Sequence, residues 1–568
     1  MPDDHTLPAA IRTATAVTGG TYELPVYPFV EPAELRGERL RHPVVIVGAG
    51  LTGLTAACDC ALRGIPAVVL DEDDTVGVRG AASRGICYAQ KSLEIYKRLG
   101  IHDRMLAKGI QWSVGRTFAG SDEVYSFDLK KMQTHSVSEQ PPFINLQQFY
   151  LEWFLVERIY ELGLVELRWK NRLIEIAPNE DHVVLTVVTP SGPYTLEASW
   201  VIDCCGAHSV IRDKLGVHAT GSKIPDRWCI SDVRFEREPP AERWTWIEAP
   251  FNENRAVWQH LMADRVWRLD YQMPADADPE AISRPEVVAD RLRRQFGPDV
   301  KYELVWVGPY AYRSLCLDTF RVGRVLFAGD AAHVMSPFGA RGGNSGIQDA
   351  DNLVWKLALV LEGKASERLL DSYAVERRQA ALDNIRITNR TTRFLSPPTR
   401  VEKRFRDAVI SLAREFAFAR AFVNTGRLSS PSRYADSPIA AGEHAGVHVQ
   451  NVALTLPNGA RGDLVELLQW CDHAVLGFLY VDLDGYVARE LEGLEERYPV
   501  RFLCVQSEEG RTCTFPTVID DEGKLTAQLH AAPGAVALVR PDLYLAGTLD
   551  EPSAADIERA LRKLLAIE

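Results

Sequence analysis

The sequence predicts an α/β protein with a parallel-sheet domain, an antiparallel sheet that covers it, and a small α/β domain at the C-terminal end. Three observations predict this fold class. A strand, a glycine-rich turn, a helix and a second strand follow one another from Pro43, alternating apolar and polar segments occupy residues 181–310, and strands and helices alternate anew in residues 446–568. At roughly 150 residues per domain, 568 residues are enough for more than one domain.

The composition is that of an ordinary globular protein, with 46% hydrophobic and 25% charged residues. The net charge of −13 disfavours binding to nucleic acid or to anionic membranes. No window approaches the roughly 20 apolar residues of a membrane span, and the N-terminal residues lack a secretory signal. We therefore expect a cytoplasmic protein that binds neither nucleic acid nor membranes.

The ten cysteines are sparse and irregularly spaced. Cys58 and Cys60 lie two residues apart on a predicted helix, where their side chains diverge and cannot chelate a metal together. We therefore expect reduced thiols, with neither a metal site nor disulfides.

The first domain is predicted to begin after an extended surface leader, residues 1–42, which mix proline, glycine and charge without a period. The segment PVVIVGAG is typical of a buried strand that ends in glycines, LTGLTAACDCALRG has helical spacing, and PAVVLDED indicates a second buried strand. These segments form a βαβ unit. A parallel sheet is therefore expected in residues 43–180, the first part of this domain.

The covering sheet is predicted in residues 181–310, where segments such as HVVLTVV and RAVWQHLM alternate as half-exposed antiparallel strands do. A piece near residues 198–216 is assigned to the first domain. The buried-strand signature returns in RVLFAGDAAH, and a long helical stretch completes the first domain in residues 311–395. Residues 396–445 combine helical patterning with a linker rich in Ser, Pro and Gly.

A glycine motif follows the first strand. Gly48, Gly50 and Gly53 form GxGxxG, in which the first glycine permits a tight turn, the second admits a pyrophosphate, and the third lets helix pack on strand. Leu51 and Thr52 then begin a helix whose free N–H groups and positive dipole face the phosphates. Together with the flanking strand and helix, the motif predicts nucleotide binding.

An acidic residue ends the second strand roughly 20 residues later, as ribose recognition requires. Asp71 is the predicted acceptor for the ribose hydroxyls, and Glu72 is the alternative. This pattern does not choose between NAD and FAD.

A second segment decides between NAD and FAD. It is RVLFAGDAAHVMSPFGARGGNSGIQDADNLVWKL, whose pattern predicts a strand, Gly329-Asp330, a glycine-rich loop and a helix. This segment resembles the GD motif of the para-hydroxybenzoate hydroxylase and phenol hydroxylase family of FAD-dependent aromatic monooxygenases. The resemblance implies that Asp330 binds the flavin ribityl hydroxyls. It also implies that Gly343 and Asn344, at the helix start, lie against the flavin ring.

The chemistry of reduced flavin agrees with that implication, because its negative charge near N1 and C2=O is stabilised by a helix N-terminus. The loop residues expected to hold the backbone close to the ring are Pro337, Gly339 and Gly342. His333, in GDAAH, is expected to support the loop rather than act as a base.

Two further segments are similar to the same family. SRGICYAQKSLEIYKRLGI implies that Arg84 reaches the cofactor. NLQQFYLEWFL resembles a QxxLExxL segment, which implies that Gln148 contacts the ribityl chain, with Gln147 as the alternative. An isolated Arg or Gln is usually structural, and the order of these segments between the two larger motifs favours the functional interpretation.

The chain departs from the family at VIDCCGAHSVIR. Family members carry an Asp-Gly pair in a GADGARSxVR-like segment, whereas Cys205 precedes the glycine here and Asp203 lies two residues earlier. The departure leaves open the choice of NADH or NADPH. Cys204 and Cys205 are interpreted as small buried residues at a strand end, with a redox pair as the alternative.

The C-terminal domain resembles the thioredoxin-like domain of phenol hydroxylase and its relatives, with GAVALVRPDLYLAG matching a late strand and turn. No CxxC occurs there, since Cys471, Cys504 and Cys513 are scattered. We expect a structural or oligomerising role, compatible with a homodimer, and no thiol chemistry.

The resemblance implies a fold and a reaction. The fold is an FAD-binding Rossmann-like domain of the glutathione-reductase type with an antiparallel substrate domain. The reaction is hydroxylation of a phenolic or other aromatic substrate by NAD(P)H and O2 through a flavin C4a-hydroperoxide. Such chemistry requires a dry pocket beneath the covering sheet.

The candidate catalytic residues on that sheet are His260, Arg268 and Tyr271, each also compatible with a structural role. The alternation of RVWRLDYQM places Tyr271 on one face of its strand and Arg268 and Asp270 on the other.

Three other functions remain open. A related flavin enzyme could epoxidise a polyketide-like substrate or insert oxygen by Baeyer–Villiger chemistry on the same fold. A catalytically inactive flavin-binding protein would explain the altered motif at Cys205. A nicotinamide dehydrogenase is disfavoured because it would not explain the GD segment.

Overall fold

The computed structural model describes residues 11–14, 22–77, 85–128, 140–423, 429–480, 485–508 and 513–567. The helices are α1 (Leu51–Leu62), α2 (Gln90–Leu99), α3 (His102–Lys108), α4 (Gln148–Leu162), α5 (Val210–Lys214), α6 (Pro279–Ile282), α7 (Pro285–Phe296), α8 (Arg341–Leu361), α9 (Leu369–Leu395), α10 (Arg400–Glu415), α11 (Ala417–Val423), α12 (Leu464–Trp470), α13 (Gly485–Arg497), α14 (Lys524–Gln528) and α15 (Ala554–Leu564).

The strands are β1 (Ile11–Ala14), β2 (Glu23–Val26), β3 (Arg41–Val47), β4 (Ala67–Leu70), β5 (Cys87–Ala89), β6 (Val114–Ala119), β7 (Asp122–Asp128), β8 (Phe143–Asn145), β9 (Val165–Arg168), β10 (Arg172–Pro178), β11 (Val183–Thr189), β12 (Gly192–Asp203), β13 (Ala219–Phe235), β14 (Arg243–Ala249), β15 (Arg255–Leu261), β16 (Trp267–Met273), β17 (Tyr302–Leu317), β18 (Arg321–Val322), β19 (Val325–Phe327), β20 (His333–Val334), β21 (Ala453–Thr455), β22 (Arg461–Asp463), β23 (Val475–Leu479), β24 (Val500–Gln506), β25 (Thr517–Ile519), β26 (Val536–Val539) and β27 (Leu545–Leu549).

The first domain is built on a sheet with the order β10-β11-β12-β3-β4-β9, to which β19 adds beside β12. Strands β12, β3, β4 and β9 run parallel. Val44, Val45 and Ile46 in β3 are fully buried, as expected for a parallel strand covered on both faces. Helix α1 contacts α4 and α8. The predicted α/β class and the βαβ unit β3–α1–β4 are confirmed.

The covering sheet has the order β20-β17-β13-β16-β15-β14-β6-β7 and is antiparallel except where β14 pairs with β6. The set of strands in this sheet differs from the set that the sequence-based domain boundaries predict. Strands β6 and β7 belong to it, although residues 43–180 are assigned to the first domain from the sequence. Strands β11 and β12 belong to the first sheet, which the sequence-based boundaries place there only for the part of β12 near residues 198–216. A residue period of two identifies a strand, but it does not say which of two sheets the strand joins.

The leader does not lie on the surface where the structure describes it. Tyr22, Leu24 and Tyr27 are buried in the main core, and the Tyr27 ring stacks on Trp169 with 4.6 Å between ring centroids. The expectation of a surface leader was therefore wrong for this stretch. Single aromatic anchors can bury a segment that has no period of its own.

The C-terminal sheet has the order β22-β21-β25-β24-β23-β26-β27, with β23, β24 and β25 parallel. Its core continues into the first domain, because Trp355 of α8 and Leu369 of α9 belong to the same apolar cluster as Phe502. The C-terminal residues therefore form a sheet of their own that shares an apolar core with the first domain. The separate domain and its thioredoxin-like character stay predictions.

The C-terminal unit also corrects an expectation about the thiols. The structure joins Cys504 and Cys513 in a disulfide. The expectation of reduced thiols throughout is therefore wrong for this pair, whose two members are nine residues apart in a pattern that carries no CxxC signal.

None of the helices in the described part of the chain combines the length and apolar character needed to cross a bilayer.

Candidate active site

A cavity of about 810 Å³ lies between the first domain and the covering sheet. Its first wall is formed by the glycine turn after β3, the end of β4 and the start of α8, and its second wall by β14, β15 and β16. Open α/β sheets bind ligands outside the carboxyl ends of their strands, which is where this cavity begins.

The glycine turn has the geometry that the motif predicts. Gly48 has a φ of 107°, and a methyl group there would lie 2.4 Å from the Cys204 carbonyl oxygen. A methyl group on Gly53 would lie 1.9 Å from the Gly48 carbonyl oxygen, so helix and strand touch. At Gly50 the nearest atom would be Glu152 Oε1 at 4.0 Å. The second glycine therefore leaves room for a phosphate to approach the backbone.

The starts of α1 and α8 lie side by side at this cavity. A methyl group on Gly343, in the first turn of α8, would be 3.3 Å from Cδ2 of Leu51, the first residue of α1. Both residues line the cavity, as does Thr52. Because the first N–H groups of a helix have no partner within the helix, the two helix starts present donors to one space.

Asn344 holds the start of α8 in place with its side chain. Its Oδ1 accepts hydrogen bonds from the Ala89 amide (2.9 Å) and the Ser92 hydroxyl (2.6 Å). Its Nδ2 donates to the carbonyl oxygens of Cys87 (2.9 Å) and Ala340 (2.6 Å). Since the side chain is occupied by protein, any contact of Asn344 with a cofactor must come from its backbone.

Both acidic candidates at the end of β4 line the cavity. Asp71 accepts hydrogen bonds from the amides of Ala49 (2.6 Å) and Asp73 (2.8 Å), and burial raises its pKa to about 6. Its carboxylate thus supports the glycine turn while facing the ligand space. Glu72 is exposed beside it.

Of the two candidate glutamines, Gln148 lines the cavity and Gln147 does not. Gln148 donates from Nε2 to Glu152 Oε1 (2.7 Å) and accepts from the Gly85 amide (3.0 Å). Gln147 is fully buried away from the cavity. Arg84 lies outside the described residues.

Glu152 is a site residue that the sequence reasoning missed. It lines the cavity, accepts from the Gly77 amide (2.8 Å) and from the amide of Leu51, and burial raises its pKa to about 7. A signal was present, because Glu152 is the glutamate of the QxxLExxL-like segment.

The GD motif forms a short turn, Gly329–Ala331, with Asp330 on the cavity wall. Behind it, Asp349 of α8 accepts from the Gly329 amide (2.9 Å), from Arg377 (2.6 Å) and from His333 Nε2 (2.7 Å). His333 is buried beneath the loop, where a supporting role was expected.

The loop between the GD turn and α8 brings Pro337 and Gly342 to the cavity. Gly339 is not part of the lining and has a φ of 83°, followed by Ala340 at 55°. Gly339 therefore shapes the loop from outside the ligand space.

The departure at Cys205 has a structural consequence. Asp203 is buried and accepts from the Cys205 amide (3.0 Å) and from the Ser209 hydroxyl, so its carboxylate braces the turn. Cys204 and Cys205 line the cavity instead, and burial raises the pKa of each thiol well above its usual value. This segment presents neutral thiols to the ligand space.

The structure brings His260 and Arg268 to the cavity but not Tyr271. The Tyr271 hydroxyl donates to Gln295 Oε1 (2.6 Å) in the apolar cluster on the opposite face of the covering sheet. Successive side chains of a strand point to opposite faces, so Arg268 and Tyr271 cannot share one cavity. The catalytic assignment is corrected for Tyr271.

The surroundings of Arg268 and His260, the two remaining candidates, determine which interactions and which protonation state are open to each. Arg268 donates to both carboxylate oxygens of Asp232, at 2.8 and 2.7 Å, and both residues are buried. Burial, together with the charges of Arg243 and Arg268, lowers the pKa of His260 well below its usual value. His260 is therefore neutral at physiological pH.

Other residues of the cavity wall were not singled out from the sequence. They include Trp258, Arg243, Asp270, Tyr310 and Tyr312. For Asp270 the signal existed, because the alternation of its strand places it beside Arg268.

The residues present fit a dinucleotide that carries a flavin. The Gly50 backbone is open to a phosphate, the starts of α1 and α8 meet at one space, and that space continues to the covering sheet. This continuity provides room for a second, smaller molecule beside the cofactor.

Comparisons with known proteins agree with that fit. The family model described as FAD binding domain matches residues 41–388. The 3-(3-hydroxy-phenyl)propionate/3-hydroxycinnamic acid hydroxylase of Mycolicibacterium smegmatis is 29% identical over 396 residues, which is 70% of this chain and 69% of that protein. The 6-methylpretetramide 4-monooxygenase of Streptomyces rimosus is 29% identical over 531 residues, 89% of this chain and 90% of that protein.

Two solved structures are also similar. The flavin-dependent monooxygenase PieE, in complex with FAD and substrate, has a TM-score of 0.80 at 20% identity, covering 93% of this chain and 100% of that one. The OxyS anhydrotetracycline hydroxylase from Streptomyces rimosus has a TM-score of 0.69 at 25% identity, covering 93% and 99%.

Proposed function

Since this chain belongs to the FAD binding domain family of FAD-dependent aromatic hydroxylases, we propose that it is a monooxygenase that uses NAD(P)H and O2 to hydroxylate a phenolic ring. One observation carries the proposal: the starts of α1 and α8 meet at a single cavity that continues to the polar and aromatic face of the covering sheet.

The first wall would hold FAD. The glycine turn and the start of α1 would bind its diphosphate, Asp71 or Glu72 its ribose, and Asp330 and Gln148 its ribityl chain. The backbone of Gly343 and Asn344 would face the flavin ring, where the helix dipole stabilises negative charge. When bound, FAD supplies the redox chemistry that links NAD(P)H and O2 to hydroxylation.

The second wall would hold the aromatic substrate. Trp258 packs against Phe338 with ring centroids 4.5 Å apart, and Phe338 packs against Tyr312 at 5.4 Å. Trp258 and Tyr312 line the cavity, with Phe338 packed behind them, and give an aromatic wall that can stack on a substrate ring and exclude water. Water exclusion matters because it prevents the activated oxygen from being lost without hydroxylation.

The names of the relatives support an aromatic substrate but do not determine how large it is. One is named for a hydroxyphenyl propionate and another for 6-methylpretetramide. The space shared by cofactor and substrate is about 810 Å³.

The test is to purify the protein, record its flavin spectrum, and follow oxidation of NADH and of NADPH under 18O2 across a library of phenols. We expect a yellow protein, faster flavin reduction with a bound phenol, and one 18O atom in the product, ortho or para to the hydroxyl. A colourless protein, or oxygen inserted into a ketone C–C bond, would overturn the proposal. A yellow protein that oxidises neither nicotinamide with any phenol would indicate an inactive flavin-binding protein.

A further inference from the structure

A row of polar side chains crosses the covering sheet on the face that lines the cavity. Trp244 of β14 pairs with Gln259 of β15, so Arg243 and His260 are the next pair along these antiparallel strands. His260 pairs with Arg268 of β16, and Arg268 pairs with Asp232 of β13. Four adjacent strands therefore place Arg243, His260, Arg268 and Asp232 in one line.

Arg243, at one end of the row, lacks a carboxylate partner among the residues that the structure describes. Its guanidinium carbon lies 5.7 Å from the centre of the Trp112 ring and 5.4 Å from that of Trp258. Its buried Nε has no hydrogen-bond partner within the described chain, and the same is true of the buried Trp258 Nε1. The Asp270 charge acts on this guanidinium without an ion pair between the two groups in the described part of the chain. A covered guanidinium without a direct partner is costly, so this position favours an anionic oxygen from a ligand.

Asp270 lies two residues from Arg268 on the same face of β16 and lines the cavity. Arg268 is already committed to Asp232 through two hydrogen bonds. The nearest basic nitrogen to Asp270 in the described ion pairs is Nε2 of His260, at 3.7 Å from Oδ2. Within the part of the chain that the structure describes, Asp270 is thus a carboxylate of the cavity wall without a close cationic partner.

The surroundings make the Asp270 carboxyl group a weaker acid than an ordinary aspartic acid side chain. Burial raises its pKa to about 7, the charge of Asp232 acts in the same direction, and the charges of Arg268 and Arg243 act against it. The thiols of Cys87 on β5 and Cys229 on β13 also interact electrostatically with Asp270. A carboxylate with a pKa near neutrality is suited to accept a proton at physiological pH.

We propose that Asp270 accepts the proton of a phenolic hydroxyl on the substrate and that the Arg243 guanidinium binds the resulting phenolate oxygen. The phenol O–H bond breaks, an O–H bond forms on the Asp270 carboxyl group, and the negative charge passes from that carboxylate to the phenolate. The phenolate donates electron density into the ring, which is what an electrophilic oxygen transfer needs. The inference rests on the proposed function and names the two residues that ionise its phenolic substrate.

The test uses the FAD-loaded protein and a probe whose spectrum reports ionisation. The probe is 2-naphthol, whose hydroxyl has a pKa of roughly 10, as in tyrosine, and is therefore protonated in solution at pH 7.5. Its methyl ether, 2-methoxynaphthalene, has the same ring system without the acidic proton. Difference spectra without nicotinamide give both the affinity and the ionisation state of the bound probe.

With the wild-type protein we expect 2-naphthol to show its phenolate spectrum on binding and to bind at least tenfold more tightly than the ether. Asp270→Asn should bind 2-naphthol in its neutral form. Arg243→Gln should weaken its binding roughly ten- to a hundredfold, the loss expected for a hydrogen bond to a charged group.

Tyr271→Phe is the matched control, because Tyr271 is the neighbour of Asp270 on the opposite face of β16. It should leave the probe spectrum and affinity unchanged. Equal affinity for the two probes, binding of neither, or a phenolate spectrum that persists in Asp270→Asn would overturn the inference.

Failure of the inference is distinguishable from failure of the proposed function. If the protein holds FAD and is reduced by NAD(P)H while bound 2-naphthol stays neutral, only the proposed roles of Asp270 and Arg243 are refuted. If the protein does not hold FAD, the proposed function falls with them.

Discussion

Thr52 of α1 fits against Gly346 of α8 so closely that a methyl group on Gly346 would lie 2.3 Å from the Thr52 Oγ1. A methyl group on Gly329, in the GD turn, would lie 2.5 Å from the same oxygen. One threonine therefore joins the glycine turn after β3 to the GD turn after β19. The relative position of the two proposed halves of the FAD site depends on this contact.

Gly346→Ala should separate α1 from α8 and weaken FAD binding by about tenfold or more, because overpacking costs about 1–3 kcal/mol. The measurement is the FAD dissociation constant from flavin fluorescence, together with Tm. Gly493→Ala is the control, since Gly493 lies in helix α13 and no described atom beyond the neighbouring backbone of that helix lies within 4 Å of the added methyl group. It should leave FAD affinity unchanged, and equal affinity in both variants would remove Gly346 from this role.

Asp330→Ala should weaken FAD binding, because the variant loses a carboxylate on the cavity wall that is proposed to bind ribityl hydroxyls. The loss of hydrogen bonds to a charged group predicts roughly a tenfold weaker complex or more. Flavin retention after gel filtration and titration of the apoprotein measure the effect. Asp290→Ala, which removes an exposed carboxylate on α7, is the control. Unchanged retention in Asp330→Ala would reject the assignment.

Glu152 should make the stability of the apoprotein depend on pH. Burial raises its pKa in the folded state to about 7, above its usual 4.5, so the folded state binds more protons between these values. Its contribution to the free energy of unfolding is therefore largest at low pH and falls as pH rises from about 4.5 to about 7. Glu152→Gln should show a smaller fall in urea denaturation midpoints across this range.

Glu157→Gln is the control for that series, because Glu157 lies on the same helix, α4, with a half-exposed side chain. It should reproduce the wild-type pH dependence. A wild-type slope that persists in Glu152→Gln would mean that Glu152 is not the group responsible.

Arg540 should be essential for docking the C-terminal unit. It donates to both oxygens of Glu376 on α9, at 2.6 and 2.9 Å, and Lys356 of α8 donates to Glu376 at 2.8 Å. All three are buried. Arg540→Ala should cost about 3–5 kcal/mol because it leaves a buried carboxylate partly uncompensated.

Urea denaturation and limited proteolysis between residues 429 and 452 would measure that loss. Arg559→Ala, which removes an exposed ion pair with Asp556 on α15, should leave the denaturation midpoint essentially unchanged, because water screens exposed ion pairs. Similar effects of the two substitutions would show that the buried ion pair does not hold the C-terminal unit in place.

Several features could be predicted from local pattern. The GxGxxG turn and the GD segment each combine a buried strand, glycines at required positions and a following helix, so their structure is set by neighbours in sequence. Alternation in β16 was also sufficient to exclude Tyr271 from the face of Arg268, although the sequence-based assignment did not use it.

Other features could not be predicted in this way. The placement of β6 and β7 in the covering sheet, the burial of Tyr22, and the alignment of Arg243 with His260 all depend on contacts between distant segments. No periodicity encodes a strand's partner, and a single arginine has no pattern at all.

The amino-acid sequence alone determined the class of fold, the two glycine segments and the family that they resemble, because these depend on backbone conformations and helix starts within short stretches. Only the tertiary structure decided that Thr52 joins the two segments, that Cys205 and not Asp203 faces the cavity, and that Asp270 and Arg243 share one wall. The physical reason is that charge, burial and proton affinity at a site are properties of what surrounds a residue, and chain folding brings those surroundings from far apart in the sequence.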